Sequence, residues 1–325
     1  MPRRPTLEDR LNRLADLRSE PDSEVVRREL EKALGDRSNH LVGRAAKLAA
    51  EFELEELAPA MTAAFDRCMD NPEGTDKGCV AKAAIVRALV DLEVRAEEVF
   101  LRGVRHRQLE GAYGGPVDTA VPVRAASAEG LLIARSPDLG LEMADLLVDP
   151  ETEARVAAAR VLAASGRGEA EPMLRLKAQL GDAEGEVTGE AIAGLLAIAP
   201  QRSLTFVAPF LRSEDPAIVE AAALALGESR LEEAVPLLSE CAERTFDPRL
   251  RRTLLISLSM LRRPAGFDFL LSQVEIARRD QATHAIVALG LHRGDEALRE
   301  RTEAALARRG GDRALHAAFA QAFDG

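Results

Sequence analysis

The chain is 325 residues long, 46% hydrophobic but only 3% aromatic, with no tryptophan, one tyrosine and a net charge of −11. This apolar content lies above the range of disordered sequences, and the negative balance argues against general nucleic-acid or anionic-membrane binding, which need a cationic surface. Cys68, Cys79 and Cys241 are too few for a disulfide framework, and no run approaches the roughly 18 apolar residues of a membrane span, so the expected compartment is a reducing cytoplasm.

The start, Met1-Pro2-Arg3-Arg4, is basic, but Leu7, Leu11, Leu14 and Leu17 follow at helical spacing among charges. That is an amphipathic helix and not the apolar region of a signal peptide. Residues 7–18 and 23–34 predict two helices with charged faces, so residues 1–35 are expected to cap one end of a helical stack. Asp36 leads into a helix with Leu41, Val42, Ala45, Ala46 and Leu48, and its partner near 53–69 carries Leu54, Leu57, Met61 and Phe65. A turn-rich loop, Asp70 to Asp76, opens the next unit, with Val80, Ala84, Ile85 and Leu89, then a partner near Ala96–Leu101. Here the rhythm breaks. Asp76 and Asp118 are further apart than any later pair of turn aspartates, and the surplus falls in an irregular insert at about 102–117.

From Asp118 the pattern resumes, and aspartates then recur at 149, 182, 215, 247, 280 and 312, every 32 or 33 residues. Each opens an Ala/Leu/Val-rich segment, and Asp149, Asp215 and Asp247 are followed directly by proline. An aspartate accepts hydrogen bonds from the free N–H groups of a first helical turn, and proline suits the first helical position. A period of this length without strand signal marks stacked helical hairpins, none of which buries its apolar face alone. The array is expected over 36–311, closed by a lone capping helix in 312–325 with Leu315, Ala318 and Phe319.

Asp215-Pro216, Val219, Ala221-Ala222-Ala223 and Ala225-Leu226-Gly227 resemble the HEAT-like repeat of the bacterial phycobilisome-lyase type, with Glu220 where that family usually has arginine. Val123-Arg124-Ala125-Ala126 matches too, as do Asp149-Pro150, Arg155, Ala157-Ala158 and Leu162, while the unit from Asp182 has Thr188 for the arginine. The resemblance spans about 36–323. It implies an all-α fold, a right-handed α-solenoid of about eight HEAT-like hairpins with capping helices, in which the helix after each Asp turn lines the concave surface. It implies little about function, since such repeats occur mainly in binding scaffolds.

Several constellations are candidates for chemistry. The insert gathers Arg102, Arg105, His106 and Arg107 beside the only tyrosine, Tyr113, and reads either as a binding loop or as a longer solvated connection. If the family orientation holds, Lys82, Arg87 and Arg124 join these cations on the concave face. Lys77, Lys82, Arg87, Arg102, Arg105, His106, Tyr113 and Arg124 are therefore the expected binding residues, suited to an acidic peptide, phosphate or carboxylate. Cys68, Cys79 and His106 lack the spacing of a zinc site, so no metal or cofactor is expected. No G-x-S-x-G or P-loop is present, and abundant Asp and Glu read as caps and solvated faces. The expected function is a non-enzymatic protein- or peptide-binding scaffold, without membrane or nucleic-acid partners. The alternative is an enzyme or enzyme subunit, acting on nucleic acid like the HEAT-like DNA glycosylases or on a tetrapyrrole like the lyases.

Overall fold

The computed structural model describes residues 6–17 and 24–325, so the expectations for the basic start and for positions 18 and 23 lie outside the described residues. Two compact units divide the chain, Met1–Ser165 and Gly166–Gly325. The first holds α1 (Leu7–Asp16), α2 (Glu24–Leu34), α3 (Asn39–Glu51), α4 (Ala58–Asp70), a single turn α5 (Pro72–Thr75), α6 (Val80–Asp91) and α7 (Glu97–Val104). Strands β1 (Leu109–Ala112) and β2 (Gly115–Asp118) follow, then α8 (Val121–Ala134), α9 (Leu139–Leu146) and α10 (Thr152–Ser165). Helices α3, α6, α8 and α10 pack one against the next as a row of repeat-opening helices. Their partners α4, α7 and α9 are tied by ion pairs, Arg102 to Asp66 and Arg105 to Glu142.

The second unit has α11 (Ala170–Leu180), α12 (Gly185–Ile198), α13 (Pro200–Val207) running into a tighter turn at Ala208–Arg212, and α14 (Pro216–Ser229). It continues through α15 (Ala234–Arg244), α16 (Pro248–Met260), α17 (Pro264–Ile276), α18 (Arg279–Gly290), α19 (Glu296–Arg309) and α20 (Arg313–Asp324). Here α12, α14, α16, α18 and α20 form the opening row, with α15, α17 and α19 as successive partners. Each unit is thus a stretch of helical solenoid, as expected, with the β1–β2 hairpin as an addition in the first.

The turn aspartates explain the period. Asp36, Asp118, Asp149, Asp182, Asp215, Asp247 and Asp312 each accept a hydrogen bond from the backbone N–H two residues ahead, at 2.8–3.1 Å. This short ring fixes the turn that brings a new helix back against the previous one. Asp76 instead reaches further, accepting from Ala81 and Lys82 N–H at 2.9 Å. Asp280 departs from the expectation, because it lies inside the first turn of α18 rather than ahead of it.

The insert also departs from the expected irregular 102–117. Residues 102–104 finish α7, residues 105–108 form a short loop, and an antiparallel hairpin follows, pairing Leu109 with Asp118, Glu110 with Val117, Gly111 with Pro116 and Ala112 with Gly115. Tyr113 and Gly114 make its turn, where Gly114 takes φ of +107°, a conformation that side chains resist.

Neighbouring opening helices approach closest at small residues. At Gly227 of α14, an added Cβ would stand 2.7 Å from the Ser257 carbonyl oxygen of α16 and 2.9 Å from its Cα, both backbone atoms that cannot move aside. Gly227→Ala is therefore expected to destabilise the protein by about 1–3 kcal/mol, read by urea unfolding, despite alanine's better helix propensity. A neutral or stabilising outcome would mean that α14 and α16 are further apart than described.

Candidate functional site

The base of the hairpin is a buried charge cluster built by the repeat geometry itself. Six residues after three successive turn aspartates stand Lys82, Arg124 and Arg155, each folding back towards its own turn. Arg124 donates to Asp118 Oδ2 at 2.7 Å, to the His106 carbonyl at 2.9 Å and to Asp149 Oδ1 at 3.2 Å. Its Nε also lies 3.0 Å from Asp149 Oδ2, a charge contact without hydrogen-bond alignment. Arg107, from the loop before β1, adds a second cation 2.8 Å from Asp149. Lys82 donates to Gln108 Oε1 at 2.8 Å with Asp76 3.4 Å away, and Arg155 donates to the carbonyls of Asp149 and Pro150, each at 2.8 Å. Charges buried this deeply persist only when paired in this way.

Hydrogen bonds tie the hairpin to the cluster. Glu110 accepts from Gly78 N–H and Gln108 Nε2, both at 2.6 Å, and from the Thr119 hydroxyl at 3.1 Å. Burial opposes ionisation of Asp118, but the Gln108 and Ala120 N–H groups and the Arg124 guanidinium outweigh it and hold its carboxyl below the usual range. Burial lowers His106 below the ordinary imidazole value. It also pushes the Cys68 thiol up to about 11 and raises Cys79, so neither is a ready thiolate ligand or nucleophile. Among the described residues no cluster of three or more His, Cys, Asp or Glu is arranged to hold a metal ion.

Of the eight residues expected from sequence, Lys82, His106 and Arg124 meet in this buried cluster, and the eight do not form one surface. Lys82 and Arg124 are fully buried, at 0% exposure, and are turned away from the surface on which they were expected. His106 is buried beside Gln108, 3.2 Å from its Oε1. Arg102 and Arg105 lie at the partner helices, paired with Asp66 and Glu142. Lys77 is exposed beside the hairpin base, and Tyr113 stands free at its tip, at 109% exposure. Only Arg87 is on the open face of the opening row, where it grips Glu129 with two bonds of 2.6 and 3.1 Å.

Around Arg87 the first unit has a groove of about 330 Å³ between α6, α8 and α10. Its floor includes Ala125, Leu132, Val156, Ala157 and Val161, and Arg87, Glu129, Glu153 and Arg160 stand at its rim. Glu129 and Glu153 are not among the eight binding residues expected from sequence, although Glu129 is an acid that a cation of this face was expected to pair with. A second depression, of about 460 Å³, lies in the second unit against Leu204, Ala208, Leu237 and Cys241. Its charged rim is closed on itself, with Glu240 shared between Arg212 at 3.3 Å and Arg244 at 3.5 Å. Burial raises the Cys241 thiol as well.

The cluster makes two measurable demands. Arg124→Met removes the buried cation that Asp118 and Asp149 share, and a loss of about 3–5 kcal/mol in urea unfolding is expected. Adding Asp118→Asn and Asp149→Asn to that variant should recover much of the loss. The depressed pKa of Asp118 means that its contribution is present above the ordinary carboxylate range and is lost as pH falls through the folded value. Acid titration of the Asp118→Asn variant should therefore show a shallower fall in stability; an unchanged profile would count against a buried, ionised Asp118.

Comparison with known proteins bears on the architecture. Residues 173–259 match the family model described as HEAT repeats. No curated protein matches the chain. Among solved structures, the complex of CpcE and CpcF of phycocyanin lyase from Nostoc is similar at 18% identity and a TM-score of 0.41, over 76% of this chain and 94% of that one. Human deoxyhypusine hydroxylase in complex with glycerol is similar at 16% identity and a TM-score of 0.30, over 90% and 92%. These findings correct the expectation of a non-enzymatic chain, since both similar structures bear the names of enzymes. At such scores neither carries a substrate or an activity over to this one. Among the described residues no helix is long and apolar enough to cross a membrane. Residues 173–259 are HEAT repeats, and the helix pairs of both units are HEAT-like.

Proposed function

We propose that the open face of the α6, α8 and α10 row binds a segment of another protein. The observation that carries this reading is the groove itself, an apolar floor of small side chains rimmed by charges of both signs. Small residues admit close approach of a partner's backbone, while opposite charges at the rim select its orientation. The engagement of Arg87 by Glu129 makes the rim mixed rather than cationic. It therefore favours a partner segment of mixed charge over the acidic one that the sequence suggested. The resemblance of the repeat supports the choice of face, because in that family the helix after each Asp turn lines the concave surface. In this reading residues 1–35 and 312–325 cap an array over 36–311, and the compartment is the cytoplasm. A surface of this kind serves an enzyme subunit as well as a scaffold.

The test reverses exposed charges at the rim of the groove. Chain carrying Arg87→Glu, Glu153→Lys and Arg160→Glu together, checked for wild-type unfolding behaviour, is used as bait in cells of the source organism beside the wild type. Proteins crosslinked to groove residues of the wild type should fall by about tenfold or more, which corresponds to the loss of roughly 1.4 kcal/mol of binding. An Arg102→Glu control on α7 should leave them unchanged. Identical crosslinked partners for the triple variant would end the groove reading.

A further inference from the structure

The hairpin is a two-stranded sheet with two edges. In an antiparallel pair, residues alternate between those bonded across the ladder and those whose N–H and C=O point outward. Thr119 N–H donates to the Gln108 carbonyl at 2.9 Å, so Gln108–Thr119 is a bonded pair. By the register, Glu110–Val117 and Ala112–Gly115 are bonded pairs too. Leu109 and Gly111 on β1, and Pro116 and Asp118 on β2, therefore turn their backbone groups outward.

The two edges are unequal. On β2 the outward position 116 is a proline, which has no N–H to offer, a common device for blunting a sheet edge. On β1 both outward residues keep N–H and C=O, and among the described residues none of these four groups is bonded to another part of the chain. Leu109 is 61% exposed, and an added Cβ at Gly111 would meet nothing within 4 Å, so the face shared by these two residues is apolar and open. The base is fixed by Glu110, Gln108 and Thr119, so the edge is presented with little conformational freedom left to lose.

We propose that β1 accepts an extended segment of another protein as a third, antiparallel strand. The alternation of the sheet sets the chemistry of that segment. Residues i and i+2 of the incoming strand share the face of Leu109 and Gly111, where apolar side chains pack on Leu109 and fill the space over Gly111. The residue between them lies across from Glu110, which favours a lysine or arginine. The recognised pattern is apolar, basic, apolar, with no proline. A second copy of this chain fits poorly: using both open residues of both copies pairs Leu109 with Gly111 of the other copy and sets the two Glu110 side chains against each other. This surface is independent of the groove between α6, α8 and α10.

Gly111→Pro isolates the claim. It deletes an outward N–H that the hairpin itself does not use, at an extended position, so the intrachain ladder should survive. Isotope-labelled full-length protein is titrated, followed by amide NMR, with three blocked synthetic peptides: Thr-Val-Lys-Val-Thr-Val, its Lys-to-Glu counterpart, and a version with proline after the lysine. The first should shift the amides of Leu109 and Gly111 and slow their exchange with solvent. The Glu counterpart and the Gly111→Pro variant should each bind about tenfold more weakly, and the proline peptide not at all. Gly111→Pro that unfolds like the wild type but binds equally well would overturn the proposal. So would no binding at millimolar peptide, or shifts confined to α6, α8 and α10. A peptide-free dimer abolished by Gly111→Pro would overturn it in favour of self-pairing. The Arg87, Glu153 and Arg160 reversals should leave the peptide titration unchanged, which separates this surface from the groove.

Discussion

The hydrogen bond from a turn aspartate to the N–H two residues ahead is the contact on which the architecture rests. It recurs at seven turns from Asp36 to Asp312, and each instance fixes the direction in which the next helix starts. A helical hairpin gains stability only by laying its apolar face on a neighbour, so a small error in starting direction would grow along a row. Small residues at the contacts within the opening row, Gly227 against Ser257 among them, then allow the helices to sit close. Local turn chemistry and long-range packing therefore specify the same fold.

In the first unit the same turns also carry a load of buried charge. Lys82, Arg124 and Arg155 each follow a turn aspartate by six residues and return to it, and Arg124 also reaches the aspartate of the next turn. Charge burial is a weak source of stability, but it is specific, because any change of register strands an ion. The second unit does without this arrangement. Thr188 stands where the cation would, its hydroxyl buried and without a hydrogen bond, and Asp182 is held instead by Lys177 from α11 at 2.7 Å. The hairpin occurs in the unit that has the charge cluster, and its base is bonded into it through Gln108 and Glu110.

Much of the helical framework was legible in the sequence, because an Asp turn and an Ala/Leu/Val stripe are local signals. Asp280 shows the limit of that reading, since it keeps the period but sits within the first turn of α18, where an acid meets the positive end of the helix without capping it. The hairpin was not legible, because its strands are four residues long and Gly111, Gly114, Gly115 and Pro116 obscure any alternation. Lys82 and Arg124 were read as surface cations because the family orientation would put them on the concave face. What buries Arg124 is Asp149, 25 residues away in sequence, and only the folded chain brings them together. The expectation of no catalysis had a different weakness: absent motifs are evidence about known motifs alone.

The most direct test of the account is native-state hydrogen exchange of the amides of Ser38, Ala120, Glu151, Glu184, Ala217, Arg249 and Ala314. These are the donors to the turn aspartates, and all but Ser38 and Ala120 fall at the exposed starts of helices or just before them. Slow exchange at each, lost locally when its own aspartate is replaced by alanine, is the predicted result. Exchange at the rate of an unstructured chain across these positions would show that the aspartates do not hold the turns, and the fold would need another explanation.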